Sequence, residues 1–298
     1  MKILINRKPV TGPWGGGNLF VSSFCDYMNK QDHNVVHQLQ EDIDVIFMQD
    51  PRYSDLGVSI NEISAYKSTH PGVKIVHRVN ECDARKGTTD MDDLLRACSA
   101  ITDHTIFVSN WMKEYHQAKG WKCDQSSVVY NGVNKNHFRP VEKIKNGKVN
   151  LVTHHWSDNP MKGADIYDAL DKWVGENKDY TFTYIGRYSR DLENTKLVPP
   201  LSGKDLGDEL GRYDIYISGS RFDPGPNHVI ESIASGLPTL VHSDGGGSVE
   251  FAGKDYSFSK FNDMIKLVQK IPTKSQPLVP YSWETCMKKV LEIIEAQI

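Results

Sequence analysis

The 298-residue sequence lacks the features that mark several classes of protein. Its five cysteines are odd in number, scattered and never spaced as C-x-x-C, which argues against a disulfide framework or a zinc site. No run of 18 apolar residues could span a bilayer, and the apolar stretch near the amino terminus is too short for a signal peptide. We therefore expect a reducing, cytoplasmic location and at most peripheral membrane contact.

An excess of charge of either sign is also missing. With 35 Lys and Arg against 38 Asp and Glu, the net charge of -3 gives no general attraction to nucleic acid. No repeat or low-complexity tract is present, and 39% hydrophobic with 24% charged residues are ordinary globular values. The length suits two domains of about 150 residues better than one.

What the sequence does contain is a repeated alternation of short apolar runs with amphipathic segments. The first half shows "KILIN" at 2, "DVIFM" at 44, "VKIVHRV" at 73 and "TIFVS" at 105. After the charged, turn-prone stretch "RPVEKIKNGK", the pattern restarts with "VNLVTHH" at 149, "YTFTYIG" at 180 and "YDIYISGS" at 213. Such alternation predicts parallel sheets with crossover helices.

We therefore predict an α/β protein of two doubly wound, Rossmann-like lobes. Residues 1–142 form the amino-terminal lobe and residues 143–280 the carboxy-terminal lobe. Residues 281–298 form a helix that either packs on its own lobe or crosses back to the first. Because open parallel sheets bind ligands beyond the carboxyl ends of their strands, the predicted site lies in the cleft between the lobes.

The stretch "DPGPNHVIESIASGLP" at 223–238 carries the strongest local signal. Its prolines break the chain before a helix predicted to begin near Asn227 and to end at Gly236. The amides of residues 227–229 would then present the positive end of the helix dipole to a phosphate. Asp223 and Glu231 could face the same ligand; alternatively, Asp223 is an N-cap and Glu231 a solvated helix residue.

Three further stretches could take part in such a site. Lys162 and Gly163 open a helix after "THHWSDNP", where a lysine can neutralise a diphosphate. "GGG" at 245–247 either lets the backbone approach a ligand or makes an ordinary turn. "GPWGGGNLF" at 12–20 is not G-x-G-x-x-G, and no acidic residue ends the second strand, so the NAD fingerprint is not met.

Metal chemistry has weaker candidates. Asp90 and Asp92 form D-x-D, but acids in the first turn of a helix after a threonine cap explain the pattern better. His154 and His155 are adjacent, so in a strand they point to opposite faces, one to the core and one to the site. We predict no cofactor and no required metal.

Together, these blocks resemble a known family. "FVSNWMKEYH" at 107, "VVYNGVNKNHFRP" at 128, "MKG", D-x7-E, "ASGLPTLVHSDGGGSVE" and "YSWETCMKKVLEII" at 281 follow the order found in the retaining GT-B glycosyltransferases of family four. The matching blocks cover nearly the whole chain. The resemblance implies a metal-independent transferase of the hexosyltransferase type (EC 2.4), which moves a sugar from a nucleoside diphosphate sugar to a hydroxyl of a glycan, a lipid-linked or a small-molecule acceptor.

The resemblance also implies roles for individual residues. Glu231 would bind the donor ribose, Asp223 the transferred sugar and Lys162 the diphosphate. His77 would contact the sugar. The remaining implied donor-binding residues lie in the helix turn, in the glycine loop and after two strands of the second lobe: Gly225, Asn227, His228, Gly15, Gly16, Gly17, Ser157 and Arg187.

This chain departs from the family at two points. Asp223 replaces the first Glu of the motif, and the usual arginine before Lys162 is missing, with Ser157, Asn159 or Arg187 as substitutes. Two other functions stay open. A sugar-nucleotide epimerase on the same fold would turn over the donor without an acceptor, and a silent nucleotide-sugar-binding module would bind it without reaction.

Overall fold

The computed structural model describes residues 1–12, 15–271 and 281–298. Two positions of the predicted glycine loop (13–14) and the end of the predicted second lobe (272–280) lie outside the described residues. The chain divides into two compact units. Unit 1 contains Met1–Asn131 and Trp283–Ile298, and unit 2 contains Gly132–Ser282.

The described elements alternate along the chain as the sequence predicts. The strands are β1 Lys2–Ile5, β2 Asn34–Val36, β3 Val45–Met48, β4 Lys74–Val79, β5 His104–Phe107, β6 Ser126–Val128, β7 Gly132–Val133, β8 Val149–His155, β9 Tyr180–Gly186, β10 Lys196–Val198, β11 Ile215–Ser218, β12 Thr239–His242, β13 Ser257–Phe258 and β14 Tyr281–Ser282. The helices are α1 Gly16–Lys30, α2 Ile60–Thr69, α3 Asp83–Lys86, α4 Met91–Ala97, α5 Asn110–Ala118, α6 Ala164–Glu176, α7 Gly203–Leu210, α8 Asn227–Ala234, α9 Ser248–Ala252, α10 Phe261–Gln269 and α11 Trp283–Glu295.

Unit 1 is built on a six-stranded parallel sheet in the order β2-β1-β3-β4-β5-β6. Successive side chains of a strand point to opposite faces of the sheet, so a sheet that is covered on both faces packs two separate clusters of side chains. Ile3 and Ile5 pack in one cluster with α1 and α11, whereas Leu4 packs in another with Ile63 of α2. The sheet is therefore doubly wound, and α11 belongs to its core.

Unit 2 contains a second six-stranded parallel sheet, in the order β10-β9-β8-β11-β12-β13. This is the strand order of the Rossmann fold, in which the winding reverses between the first and fourth strands, here β8 and β11. Ile215 of β11 pairs with Leu151 of β8 at this switch point. A separate parallel pair, β7 with β14, also belongs to unit 2. The described residues contain no helix long and apolar enough to cross a membrane.

The boundary between the units lies at Asn131–Gly132, before the predicted one at 142–143. The charged stretch at 139–148 does not lie apart from the two units, because its first residue and the residues just before it pack closely on α7 and on the residue that follows α7. A Cβ atom on Gly207 would lie 2.1 Å from the His137 carbonyl oxygen, and one on Gly211 would lie 3.0 Å from that of Arg139. Glycines at these positions let the backbones meet, so residues 137–139 are part of unit 2.

Candidate functional site

The candidate site lies at the carboxyl edge of the sheet in unit 2, around its switch point. Lys162 ends a short 3-10 turn, Pro160–Lys162, in which the Asn159 side chain accepts a hydrogen bond from the Met161 amide at 2.8 Å. Gly163 follows with a φ of +92°, and a Cβ atom there would lie 2.3 Å from the Gly219 carbonyl oxygen. Only glycine fits this contact, which holds the Lys162 turn against the end of β11.

Asp223 is buried and surrounded by positively charged and polar groups. Its Oδ2 lies 3.7 Å from Lys162 Nζ and 3.8 Å from His228 Nδ1, and it accepts a hydrogen bond from the Ser220 hydroxyl at 3.4 Å. His228 in turn contacts Ser218 Oγ through Nε2 at 2.8 Å. The structure therefore brings together three residues that the sequence placed in one site: Lys162, Asp223 and His228.

The glycines at 245–247 pack against the Asp223 loop instead of bordering an open space for a ligand. The Asp223 amide donates to the Gly245 carbonyl at 3.3 Å, and the Gly247 amide donates to the Asp223 carbonyl at 2.9 Å. Gly246 has a φ of +66°, and a Cβ atom there would lie 2.7 Å from the Asp223 carbonyl oxygen. The backbone approach predicted for these glycines is thus an approach to the acidic loop.

Helix α8 begins at Asn227, as predicted, and Gly236 ends it with a φ of +78°. Its amino-terminal amides differ from the prediction. The Asn227 amide donates to the Gly225 carbonyl and the Val229 amide to the Pro226 carbonyl, both at 3.0 Å. The Pro-Gly-Pro turn supplies these carbonyls, so two of the three amides predicted to face a phosphate already have a partner.

Glu231 lies one turn into α8 and is almost completely buried. Its Oε2 contacts His154 Nε2 at 2.9 Å. No sequence signal predicts this pair, because 77 residues separate the two side chains. The predicted opposite orientation of the two adjacent histidines is confirmed: His154 contacts Glu231 of α8, whereas His155 Nε2 contacts the Tyr167 hydroxyl of α6 at 2.7 Å.

Of the three candidate substitutes for the missing arginine, Asn159 accepts the Met161 amide, and the other two lie near the same strand end. Ser157 is the second residue after β8 and is half-buried. Arg187 is exposed after β9, and its amide donates to the His155 carbonyl at 3.2 Å. Another cation is closer to the acidic loop in sequence: Arg221 forms a two-pronged ion pair with Asp165 at 2.6 and 2.8 Å. The arginine is thus engaged by α6.

His77, for which the resemblance implies contact with the donor sugar, lies inside unit 1. Its ring is fully buried in β4 of unit 1, 6.4 Å between ring centroids from Trp121, and neither ring nitrogen has a hydrogen-bond partner within the described part of the chain. Its neighbour Arg78 is also buried, lies 3.9 Å above the Phe20 ring and bonds to Gln49 and Asn131. The alternation of the strand places His77 inside the unit.

This burial predicts acid sensitivity. Burial, followed by the charge of His116, lowers the pKa of His77 from 6.5 to about 3. His77 therefore binds a proton near pH 6.5 in the unfolded chain, whereas it stays neutral in the folded chain. The neutral ring does not lower the free energy of unfolding above pH 6.5. Below that pH, the free energy of unfolding falls by about 1.4 kcal/mol per pH unit as the pH decreases towards 3. Urea unfolding at pH 7 and 5 should show about 2 kcal/mol of this loss in the unaltered protein but not in His77→Leu.

A matched control separates this effect from simple destabilisation. Val76→Ala, in the same strand, removes apolar contacts and should lower the free energy of unfolding equally at both pH values. An equal pH dependence in His77→Leu and the unaltered protein would contradict the prediction.

The glycine loop of unit 1 is partly described. Gly15 is the N-cap of α1 with extended backbone and no side-chain cap, and Gly16 is the first helical residue. A Cβ atom on Gly17 would lie 3.7 Å from both Asn80 Nδ2 and Gln49 Nε2, which is ordinary contact. These glycines therefore lie at the carboxyl edge of their sheet, as predicted, next to two amide side chains.

Asp90 and Asp92 do not act as a pair. Asp90 is exposed, whereas Asp92 is buried and accepts hydrogen bonds from Tyr115 at 2.7 Å and Lys119 at 2.6 Å. Burial raises the pKa of Asp92, but these bonds outweigh it and hold that pKa below its ordinary value. The helix is capped by Asp83, which accepts the Met91 amide at 2.9 Å, rather than by a threonine. The hydrogen-bond partners of Asp92 thus give this carboxylate a structural role.

Comparisons with known proteins support the fold. No protein-family model and no curated protein matches the sequence. Solved structures match over nearly the whole chain: Anabaena HepE in complex with UDP and glucose (12% identity, TM-score 0.71, 99% of both chains), sucrose-phosphate synthase from Thermosynechococcus elongatus (13%, 0.68, 99% and 94%) and WaaG, a glycosyltransferase involved in lipopolysaccharide biosynthesis (12%, 0.66, 100% and 98%). The chain therefore has the GT-B fold that the sequence predicted.

Proposed function

We propose that this protein is a retaining, metal-independent glycosyltransferase that uses a nucleoside diphosphate sugar. The observation that carries the proposal is the meeting of Lys162, Asp223 and His228 near the switch point of the sheet in unit 2, with the buried Glu231 further along the same helix as His228. Rossmann-type sheets bind nucleotides at this point. The structures of HepE with UDP-glucose and of pneumococcal GtfA with UDP and GlcNAc make UDP the first nucleotide to test.

The resemblance implies a role for each residue, and each role fits the chemistry of the side chain. The Glu231 carboxylate accepts hydrogen bonds from the ribose hydroxyls, and Lys162 neutralises the diphosphate as a compact charge. The distal phosphate binds beside Gly225, Asn227 and His228 at the positive end of α8, although the Asn227 amide already donates to the Gly225 carbonyl, and Asp223 contacts the sugar. Ser157, Arg187 and the loop of Gly15 to Gly17 stay candidate donor contacts. The sugar and the acceptor are unspecified.

The reaction breaks the bond between the anomeric carbon and the leaving phosphate oxygen and forms a bond to the acceptor oxygen on the same face. The leaving oxygen takes the proton of the acceptor hydroxyl, so no enzymatic base is needed. Charge develops on the diphosphate as it leaves. A preorganised donor such as Lys162 stabilises that charge by about 3 to 4 kcal/mol.

A thermal-shift panel of UDP, GDP, ADP and their sugars tests the proposal. A nucleotide at 100 times its Kd should add about 2.7 kcal/mol to the free energy of unfolding, with or without EDTA. Nucleoside diphosphate release that depends on an acceptor supports a transferase. Conversion of the donor to an isomer without an acceptor would favour the epimerase, and binding without turnover a silent module. Failure of every nucleotide to shift the transition would refute the site.

A further inference from the structure

A buried histidine and a buried carboxylate form an isolated pair in the candidate site. His154 Nε2 lies 2.9 Å from Glu231 Oε2, and the two side chains are only 9% and 11% exposed. Among the described residues, no other side chain donates a hydrogen bond to the Glu231 carboxylate. A carboxylate with so little access to water needs a donor, and His154 supplies it.

The chemistry of the pair fixes which ring nitrogen carries the hydrogen. An ionised carboxylate only accepts hydrogen bonds, so Nε2 of His154 is the donor. Nδ1 of the same ring is buried and has no partner within the described residues. The imidazole therefore carries its hydrogen on Nε2, where it faces Glu231.

His154 itself is held by the neighbouring strand. Its amide donates to the Tyr216 hydroxyl at 3.2 Å, and that hydroxyl donates back to the His154 carbonyl at 3.3 Å. The two rings pack edge to face with centroids 5.5 Å apart, and Tyr216 is completely buried. Tyr216 thus fixes the backbone, the backbone fixes the imidazole, and the imidazole fixes one oxygen of Glu231.

We infer that His154 is a positioning residue that holds the Glu231 carboxylate in the orientation that binds the ribose diol of the nucleotide. The inference rests on the proposed function. Glutamate has three rotatable side-chain bonds, so a free Glu231 would lose conformational entropy on binding each nucleotide. With Oε2 bonded to His154, Oε1 and the second lone pair of Oε2 are left to accept the two ribose hydroxyls.

The test compares variants of His154 by the Kd of the best nucleoside diphosphate, measured by calorimetry. His154→Leu removes the donor and should raise the Kd about tenfold. His154→Gln places an amide hydrogen near the former Nε2 and should restore the Kd to within about threefold of the unaltered protein. The 2′,3′-dideoxy analogue, which lacks the diol, should bind the unaltered protein and His154→Leu equally well.

Controls separate positioning from stability. His104→Leu removes a half-buried histidine of unit 1 that contacts Ser127, and should leave the Kd unchanged. His154→Leu in a Glu231→Ala background should add no further loss. A Kd unchanged in His154→Leu, or an equal loss for the dideoxy analogue, would overturn the inference. Absence of nucleotide binding in the unaltered protein would instead refute the proposed function.

A second measurement needs no variant. Nitrogen-15 NMR of the unaltered protein reports the tautomer of each histidine ring. His154 with hydrogen on Nε2 supports the inference, and hydrogen on Nδ1 alone would overturn it, because Nε2 could then not donate to Glu231.

Discussion

Replacing Lys162 with alanine should lower the rate constant for nucleoside diphosphate release by about 100- to 1000-fold, because a single preorganised donor at a developing charge has this effect. The ammonium group is fixed close to Asp223 in a turn held by Gly163, so it is in place before the charge develops. Steady-state release assays with the donor and acceptor identified by the nucleotide panel measure this effect.

Two variants sharpen this expectation. Lys162→Arg keeps the charge but spreads it over a larger planar group, so it should retain part of the activity. Lys172→Ala removes an exposed lysine of α6, in the same unit, and should leave the rate constant unchanged. A folded Lys162→Ala protein within threefold of the unaltered rate would show that this lysine does not stabilise the leaving group.

The fold could be predicted from sequence because its signals are local. Each β-branched run became a strand, and each amphipathic segment between them became a helix, since a parallel sheet requires both faces to be covered. The sequence did not predict which of the two units α11 packs against. Its apolar residues Met287, Val290 and Ile294 fit any apolar surface, and only the structure shows them in the cluster of Phe20 and Phe24.

The sequence located several residues that the structure brings close together, but it did not predict the contacts between them. Helix signals located Asn227, and the acids at 223 and 231 followed from spacing alone. The contact of Glu231 with His154 and the packing of Gly246 on the Asp223 loop join segments that are distant in sequence. A single sequence does not show such contacts. A glycine that lets two backbone segments approach each other therefore looks the same in sequence as one that lets a ligand approach.

His77 shows the opposite limitation. A histidine inside "KIVHRV" can point to either face of its strand, and a resemblance cannot decide between the two. The structure points it into the core beside Trp121. Arg78, the next residue, was a usable sequence signal, because a charged residue inside an apolar run indicates an unusual interior. Guanidinium groups are almost never fully buried, and Arg78 is buried here.

Replacing Glu231 with alanine should raise the Kd of the cognate nucleoside diphosphate about 10- to 100-fold. Hydrogen bonds to a charged group contribute about 1.5 to 3 kcal/mol, and each 1.4 kcal/mol is a tenfold change in Kd. Calorimetry should show that the variant binds the nucleotide and its 2′,3′-dideoxy analogue equally, because the hydroxyls no longer have a partner. The unaltered protein should discriminate between the two.

Two alternative outcomes separate a binding role for Glu231 from a structural one. Glu176→Ala removes an exposed acid from the end of α6 and should change neither Kd. If Glu231→Ala instead weakened both ligands by the same factor, the carboxylate would act by holding His154 in place, and the direction of dependence in the pair would be reversed. If it weakened neither, the ribose would bind elsewhere, and the assignment of the nucleotide to the switch point of unit 2 would be wrong.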